Sequence, residues 1–274
     1  MRLTPFVVFC TIAAIAPSCS SGGEQPATDS AAAIAPVAEQ EVSYADAGTN
    51  LKGFIAAPGD TSRKHPGVLV VHEWWGHNEH ARAQARRLAE AGYVGFALDM
   101  YGDGKNTTHP DSAGAFMTQA VSDQARMVSR FRAALDQLRR DPRVDSTQVA
   151  AIGYCFGGMV VLSMARAGEP LAAVGSFHGA IPPGAKIDSG SVKARVLILT
   201  GGADPMVPAA QVDAFATAMR KAGAQVEVVT YPAAMHAFTN PRADSAGVQG
   251  LHYDAAVDAQ SWDALKKMLS EVFR

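Results

Sequence analysis

One cysteine in the body of this 274-residue chain stands among glycines, in the stretch GYCFGG at residues 153–158. The apolar run VAAIGY leading into it is typical of a buried strand, and MVVLSMA after it is typical of a helix. A strand, a tight turn between glycines and a helix form a nucleophile elbow, here with cysteine in place of the usual serine. Such a turn strains the nucleophile's backbone and places the thiol at a helix N-terminus, where the helix dipole favours the thiolate. The sequence therefore predicts that Cys155 is a nucleophile rather than a cysteine that is merely packed in the core.

Two later loops offer an acid and a base for this nucleophile. The predicted strand RVLILTG is followed by GADPMVP, which contains Asp204, and the predicted strand VEVVTY is followed by PAAMHAFTN, which contains His236. Sites in parallel sheets lie beyond the carboxyl ends of the strands, so both loops should face the thiol. Asp204 could instead be a turn residue and His236 a surface histidine. The chain order nucleophile, acid, base nevertheless favours a Cys–His–Asp triad.

The elements that must position these residues alternate between apolar strands and amphipathic helices from Val42 onward. Helix-capping residues bracket the first helix, with Asn78 as N-cap and Gly92 just beyond the C-terminus. Runs of unalternating apolar strand residues between helices are typical of a mostly parallel central sheet with helices on both faces. The predicted strands lie at 51–58, 68–71, 93–100, 149–154, 171–179, 195–201 and 226–231, and further helices at about 118–140, 157–167, 209–222 and 254–272.

The N-terminus has the layout of an export signal. An arginine at position 2 precedes an apolar run to about Ala16, followed by small residues, which predicts a signal peptide over residues 1–19 and a flexible linker over 20–41. The stretch APSCSSGG is similar to a bacterial lipoprotein processing site, with Cys19 as the lipidated residue, although plain cleavage near that point is the alternative. We expect an exported protein, either periplasmic or anchored to a bacterial membrane by lipid.

Composition narrows the range of functions. The chain is 48% hydrophobic and only 18% charged, which is enough apolar material for one large α/β domain over residues 42–274. A net charge of −2 without clustered Lys and Arg argues against nucleic acid as a partner. Cys10 and Cys19 both lie near the N-terminus, so Cys155 has no disulfide partner in the predicted domain. No Cys/His cluster or HExxH spacing indicates a metal, and we expect no cofactor.

Four stretches together resemble the dienelactone hydrolase family of α/β-hydrolases: VVHEWWG, GYCFGG, GGADPMVP and MHAFTN. The resemblance covers roughly Val42 to the C-terminus and implies an α/β-hydrolase fold. It also implies cleavage of a lactone or carboxylic ester of the carboxymethylenebutenolidase type, a small-molecule substrate. By that resemblance Cys155 is the nucleophile, His236 is the base and Asp204 is the carboxylate that orients the base.

The same resemblance assigns roles to the HEWWG loop. Glu73 corresponds to a glutamate that contacts the resting thiol and is displaced when substrate binds, although by itself it could be a loop residue turned to water. The backbone N–H groups of Trp74 and Phe156 are implied to form the oxyanion hole. For Phe156 the elbow supports the same role, because it directly follows the nucleophile. His72 still belongs to the strand end and is interpreted as structural.

The sequence departs from the family where the substrate would bind. Members that act on dienelactone hold the substrate carboxylate with arginines, one of them four residues after the catalytic histidine, where this chain has Asn240. Arg242 follows shortly, and the loop after ALDMYG offers Lys105, but neither matches a clamp arginine by position. Both are candidates for substrate binding. Tyr101 and His178 are further candidates for lining the pocket, and packing is an equally open role for Tyr101.

Three other functions remain open from the sequence. A general exported esterase or thioesterase could use the same triad on a different acyl substrate. A catalytically silent, anchored binding protein could retain the fold, although a complete triad argues against this. A redox-responsive thiol is favoured by the isolation of Cys155.

Overall fold

The computed structural model describes residues 3–4, 6–7, 36–184 and 187–274. The predicted signal peptide, the lipidation candidate Cys19 and the predicted linker up to residue 35 therefore lie outside the described residues, apart from the four near the N-terminus. From residue 36 onward the described chain belongs to one compact unit. Among the described residues, none of the helices combines the length and apolar character that crossing a membrane requires.

An antiparallel hairpin opens the fold. Strands β1 (Ala38–Asp46) and β2 (Thr49–Ala57) are joined by Ala47 and Gly48, with φ of 45° and 81°. Positive φ at both central positions is the geometry that suits the twist of a two-residue hairpin. The predicted linker boundary at residue 41 is wrong, because β1 already begins at Ala38. Residues 38–41 continue the ladder with β2, which supplies partners for their backbone groups.

The rest of the sheet is parallel, as predicted. Over the described residues the strand order is β1-β2-β4-β3-β5-β6-β7-β8; all neighbours from β4 to β8 run parallel, and β1 and β2 are antiparallel. All loops that follow the parallel strands thus emerge at the same edge of the sheet. The parallel strands are β3 (His65–Val71), β4 (Val94–Leu98), β5 (Val144–Tyr154), β6 (Ala173–Phe177), β7 (Arg195–Gly201) and β8 (Val226–Tyr231).

Helices cover both faces of this sheet and give two hydrophobic cores. On one face lie buried residues of the third, fourth and fifth helices, such as Phe131, Val160 and Phe215. On the other face lie the first and last helices, which bury Leu88 and Leu265. The helices are α1 (Glu79–Glu90), α2 (Pro110–Val121), α3 (Gln124–Arg140), α4 (Phe156–Arg166), α5 (Ala209–Lys221) and α6 (Ala255–Val272), with a short 3₁₀ turn at Ala243–Ser245.

The single helix predicted over 118–140 is two helices. α2 ends at Val121, and α3 starts after Asp123, whose side chain accepts the N–H of Arg126 at 2.9 Å. An aspartate N-cap begins a new helix and offers the backbone an alternative to continuing the old one. Val121 is accordingly exposed, whereas the predicted apolar face of α3 is buried, with Phe131 and Leu138 fully inside.

Candidate active site

Cys155 occupies the sharp turn between β5 and α4, as the elbow predicts. Its φ of 54° and ψ of −112° are a conformation that residues with a side chain rarely adopt. The flanking glycines allow this turn to close. A Cβ on Gly153 would lie 2.1 Å from the Gly157 carbonyl oxygen, and one on Gly157 would lie 2.3 Å from the Val71 oxygen. The glycine spacing is therefore a steric requirement of packing α4 against the sheet.

The loop after β7 holds a buried carboxylate in one orientation. Asp204 Oδ1 accepts the backbone N–H groups of Met206 and Val207 at 2.8 and 3.2 Å. Its other oxygen, Oδ2, lies 2.8 Å from His236 Nδ1, and the Asp204 side chain has no exposed area. Because the first oxygen is fixed by its own turn, the second can only face the histidine. This carboxylate sets the tautomer and direction of the ring.

His236 follows β8 and stands between Asp204 and Cys155. The ring is buried, and Nε2 meets no hydrogen-bond geometry with any described residue. Burial alone would disfavour the charged ring, but the negative charge of the nearby Cys155 thiolate and the hydrogen bond to Asp204 outweigh it. Together these effects raise the pKa of His236 to about 10. The carboxyl edge of the sheet thus brings Cys155, His236 and Asp204 together, and the raised pKa of His236 favours its charged ring.

Glu73, in the loop after β3, is buried and differs from the expectation. Its Oε2 accepts a hydrogen bond from the Asn240 side-chain amide at 2.5 Å and lies 3.7 Å from His80 Nδ1. Among the described residues no hydrogen bond joins Glu73 to Cys155. The predicted contact of Glu73 with the resting thiol is therefore not a hydrogen bond in this structure, where Oε2 of the carboxylate is bound by the amide of Asn240.

The two predicted oxyanion donors both have backbone N–H groups without an acceptor in the described part of the chain. Phe156 is the first residue of α4, so its N–H has no partner within the helix. The N–H of Trp74 donates to no acceptor in the described part of the chain. The hydroxyl of Tyr101 donates to the Trp74 carbonyl at 3.1 Å and so fixes the main chain of this loop. Both amides remain available for an oxygen that develops negative charge.

His72 ties the loop after β3 to the loop after β4. Its Nε2 accepts the N–H of Met100 at 3.2 Å, so the proton lies on Nδ1, which is 2.6 Å from the Glu73 carbonyl. The ring packs against Tyr101 and Phe156, with centroids 4.7 and 5.8 Å away. Complete burial lowers the pKa of His72 and keeps the ring neutral. His72 is structural, as the sequence indicates, and it braces the loop that carries Trp74.

Of the candidate pocket residues on the β4 side, one lies near the thiol. Burial and then the charge of Cys155 raise the pKa of Tyr101, and its ring packs against Phe156, the residue after Cys155, with centroids 5.5 Å apart. Lys105 is exposed, with its ammonium 4.0 Å from Asp103, and it lines a different cavity whose walls include no triad residue. The structure therefore does not bring Lys105 to the triad.

The remaining two candidates do not line the triad either. Arg242 is exposed, donates its N–H to Asn240 Oδ1 at 2.9 Å and borders a small cavity of about 110 Å³. His178 is fully buried behind His236, edge-on to that ring with centroids 5.1 Å apart, and its Nε2 lies 2.8 Å from Thr239 Oγ1. Burial holds the pKa of His178 well below its usual value. His178 supports the ring of His236 from behind rather than lining the pocket.

Sequence reasoning missed a buried polar network beneath Glu73. His80 Nε2 lies 3.2 Å from the Thr239 carbonyl and 3.3 Å from Gln84 Nε2. Gln84 in turn accepts the Tyr154 hydroxyl at 3.1 Å. His80 and Gln84 are one turn apart on the buried face of α1. Polar residues at such positions are the sequence feature that could have indicated this network.

The geometry combines a thiol on a strand-to-helix turn, an imidazole oriented by a carboxylate and two free amides on a mostly parallel sheet. This arrangement is able to carry out acyl transfer, and it defines the protein as an α/β-hydrolase. The family model described as the dienelactone hydrolase family matches residues 51–273. The chain therefore belongs to the dienelactone hydrolase family, and it is an ester or lactone hydrolase.

Relatives and solved structures agree with this membership. "Protein usf" of Aquifex pyrophilus is 31% identical over 82% of this chain and 94% of its own length. A Yersinia pestis protein named "Putative carboxymethylenebutenolidase" is 30% identical over 72% of this chain and 78% of its own length. A crystal structure titled as a dienelactone hydrolase-like promiscuous phosphotriesterase from metagenomic libraries superposes with a TM-score of 0.83. It is 37% identical and covers 86% of this chain and 98% of that one.

The loop after β3 also contains a buried histidine that makes stability depend on pH. Burial lowers the pKa of His77 from 6.5 to about 4, and neither ring nitrogen has a hydrogen-bond partner among the described residues. Between pH 6.5 and about 4, the His77 ring binds a proton in the unfolded chain but not in the folded chain. The free energy of unfolding should therefore fall as the pH drops from 6.5 to 4, by up to about 1.4 kcal/mol per pH unit from this residue.

We expect His77→Leu to reduce that slope, measured by denaturant unfolding at a series of pH values. The leucine removes the titrating group without breaking a hydrogen bond. His109→Gln, at an exposed position, is the control and should leave the slope as in the wild type. An unchanged slope in His77→Leu would show that other buried histidines, such as His72 and His178, account for the acid sensitivity.

Proposed function

We propose that Cys155 is the nucleophile of a thiol-dependent ester and lactone hydrolase, with His236 as its base and Asp204 as the orienting carboxylate. The observation that carries this proposal is the buried His236–Asp204 pair at 2.8 Å beside the cysteine. The raised pKa of His236 favours a charged ring next to a thiolate, and the thiolate is the reactive form.

In the acylation step the thiolate sulfur of Cys155 attacks the substrate's carbonyl carbon and forms a C–S bond. The carbonyl oxygen becomes an oxyanion, which the amides of Trp74 and Phe156 stabilise by hydrogen bonds. Collapse of this intermediate breaks the C–O bond to the leaving group. The Nε2 proton of His236 passes to the departing alkoxide, which leaves as an alcohol or, from a lactone, stays tethered to the acyl group.

In the deacylation step a water molecule attacks the thioester carbonyl and gives a proton to His236 Nε2. The second tetrahedral intermediate uses the same two amides and releases the carboxylic acid by breaking the C–S bond. The products restore the thiolate and the imidazolium. Asp204 keeps Nε2 directed at the reacting atoms throughout, and it stabilises the charged ring.

Substrate charge is the second part of the proposal, and the side chains around the site favour a neutral ester over a carboxylated lactone. Asn240 replaces an arginine that the resemblance implies in dienelactone-cleaving members, and its amide is occupied by Glu73. Arg242 and Lys105 are exposed and line cavities without triad residues. A substrate carboxylate would therefore lack the bidentate partner that guanidinium provides.

Replacing Cys155 with alanine tests the chemistry. We expect kcat on a neutral aryl ester to fall by about 10³-fold or more, because only binding and the oxyanion donors remain. Ser163→Ala on the same helix is the matched control, since its hydroxyl bonds only the Met159 carbonyl and no group of the site. Near-normal hydrolysis by Cys155→Ala, with an unchanged melting temperature, would refute the nucleophile.

A pair of substrates tests the preference for neutral esters. We expect kcat/KM on a neutral aryl ester to exceed that on a carboxylated unsaturated lactone of similar size by about tenfold or more. A substrate carboxylate without a cationic partner in the pocket lacks at least one charge-assisted hydrogen bond. A Cys155-dependent preference for the lactone would mean that a carboxylate clamp exists and would overturn this part of the proposal alone.

A second candidate activity is hydrolysis of neutral phosphotriesters. It is favoured by the 37% identical structure described as a promiscuous phosphotriesterase. A thiolate could displace aryloxide from phosphorus, and water could then release the phosphodiester. We expect aryloxide release from an aryl dialkyl phosphate to exceed that of Cys155→Ala, measured by absorbance over many turnovers. A stoichiometric burst that stops, or equal rates in the two proteins, would exclude catalytic turnover by this thiol.

A further inference from the structure

A second cavity lies beside the active site but does not include the triad. It has a volume of about 490 Å³ and lies between the β1–β2 turn, the loop after β4, and helices α2 and α3. Tyr101 lines this cavity and also packs against Phe156, the residue after Cys155, with ring centroids 5.5 Å apart. We call it the Arg130 cavity, after the residue that distinguishes it.

The charged groups that line the Arg130 cavity differ in their partners. Three cations, Lys105, Arg126 and Arg130, face two carboxylates, Asp46 and Asp103. Lys105 lies 4.0 Å from Asp103, and Arg126 lies 2.8 Å from Asp123 just outside the lining. Asp46 accepts a hydrogen bond from the Ser129 hydroxyl. Within the described part of the chain Arg130 forms no ion pair, so it is the cation that a ligand could neutralise.

The guanidinium of Arg130 is held in place with one nitrogen unused. Its Nη1 donates to the Met100 carbonyl at 2.8 Å, and Nε is enclosed without a partner among the described residues. A Cβ on Gly102 would come 3.4 Å from Nη2, which shows how closely the loop after β4 packs against this group. Nη2 donates to no acceptor in the described part of the chain and is not enclosed, so a ligand carboxylate can accept a charge-assisted hydrogen bond from it.

The opposite part of the lining is apolar. Phe116, Ala120 and Met127 face the same cavity. An inorganic anion would leave this surface in contact with water, whereas an organic acid would bury its hydrocarbon part against it. The charge and the apolar wall together define the chemical class of the occupant.

We propose that the Arg130 cavity is a binding site for a small organic monocarboxylate, separate from the catalytic pocket. Its carboxylate accepts a hydrogen bond from Nη2 of Arg130, and its apolar part packs on Phe116 and Met127. Carboxylic acids released by an ester hydrolase belong to this chemical class. The site itself does not depend on the identity of the catalytic nucleophile.

Benzoate is a suitable probe because it combines a carboxylate with an aromatic ring, and benzamide is the neutral ligand of the same shape. We expect calorimetric titration of the full protein to show benzoate binding and much weaker benzamide binding. Arg130→Gln should weaken benzoate by about tenfold or more, because a charge-assisted pair is lost. Arg63→Gln, an exposed arginine before β3, removes the same charge and should leave binding unchanged.

Location is tested by repeating the titration with Cys155→Ala and by competition with substrate. Retained benzoate affinity in Cys155→Ala, with no effect of benzoate on KM, supports the Arg130 cavity even if Cys155 is not the nucleophile. Competitive inhibition with equal affinity in Arg130→Gln would place benzoate in the catalytic pocket and overturn the proposal. Equal binding of benzamide would overturn it as well.

If Arg130→Gln does not fold, the wild-type protein still decides the question. Phenylglyoxal modifies accessible arginines, and peptide mass analysis identifies which ones react. We expect benzoate to protect the peptide containing Arg130 while the peptide containing Arg63 reacts as before. Absence of protection at benzoate concentrations that saturate the calorimetric signal would refute the site.

Discussion

The left-handed backbone of Cys155 is the constraint on which the rest of the site depends. A positive φ of 54° costs a residue with a side chain about 1–3 kcal/mol, and it persists only where the surroundings enforce it. Here the Cys155 N–H is bound by the Phe177 carbonyl at 3.0 Å, and α4 packs on β3, β5 and β6 with Gly157 against Val71. The sheet thus holds the thiol at its carboxyl edge, where the loops carrying Asp204 and His236 also end.

At this edge of the sheet, the hydrogen bonds that fix one buried polar group also set the orientation of the next. Asp204 receives two amides from its own turn before it meets His236, and a buried carboxylate without such donors would be costly. His72 and His178 are kept neutral by burial and serve as supports for neighbouring rings. These three buried imidazoles therefore act differently, because among them His236 alone has a carboxylate on one ring nitrogen.

Features that depend on local interactions could be predicted from the sequence, whereas those that depend on long-range contacts could not. The elbow, the strand ends carrying Asp204 and His236, and the parallel sheet depend on local spacing and chain order, and the structure places them as predicted. The partner of Glu73 could not be predicted, because Asn240 is 167 residues away and the contact depends on one rotamer. Likewise, the break between α2 and α3 depends on a single capping hydrogen bond. The position of Lys105 beside Asp103 has no signal in the local sequence either.

Asn240 stands where the resemblance to dienelactone-cleaving members implies an arginine, and it determines what Glu73 contacts. Its side-chain amide donates to Glu73 Oε2 at 2.5 Å, and His80 Nδ1 lies 3.7 Å from the same oxygen. An amide donates a hydrogen bond without adding a positive charge. Asn240 therefore holds Glu73 in place but offers no ionic partner to a substrate carboxylate, which is the physical basis of the proposed preference for uncharged esters.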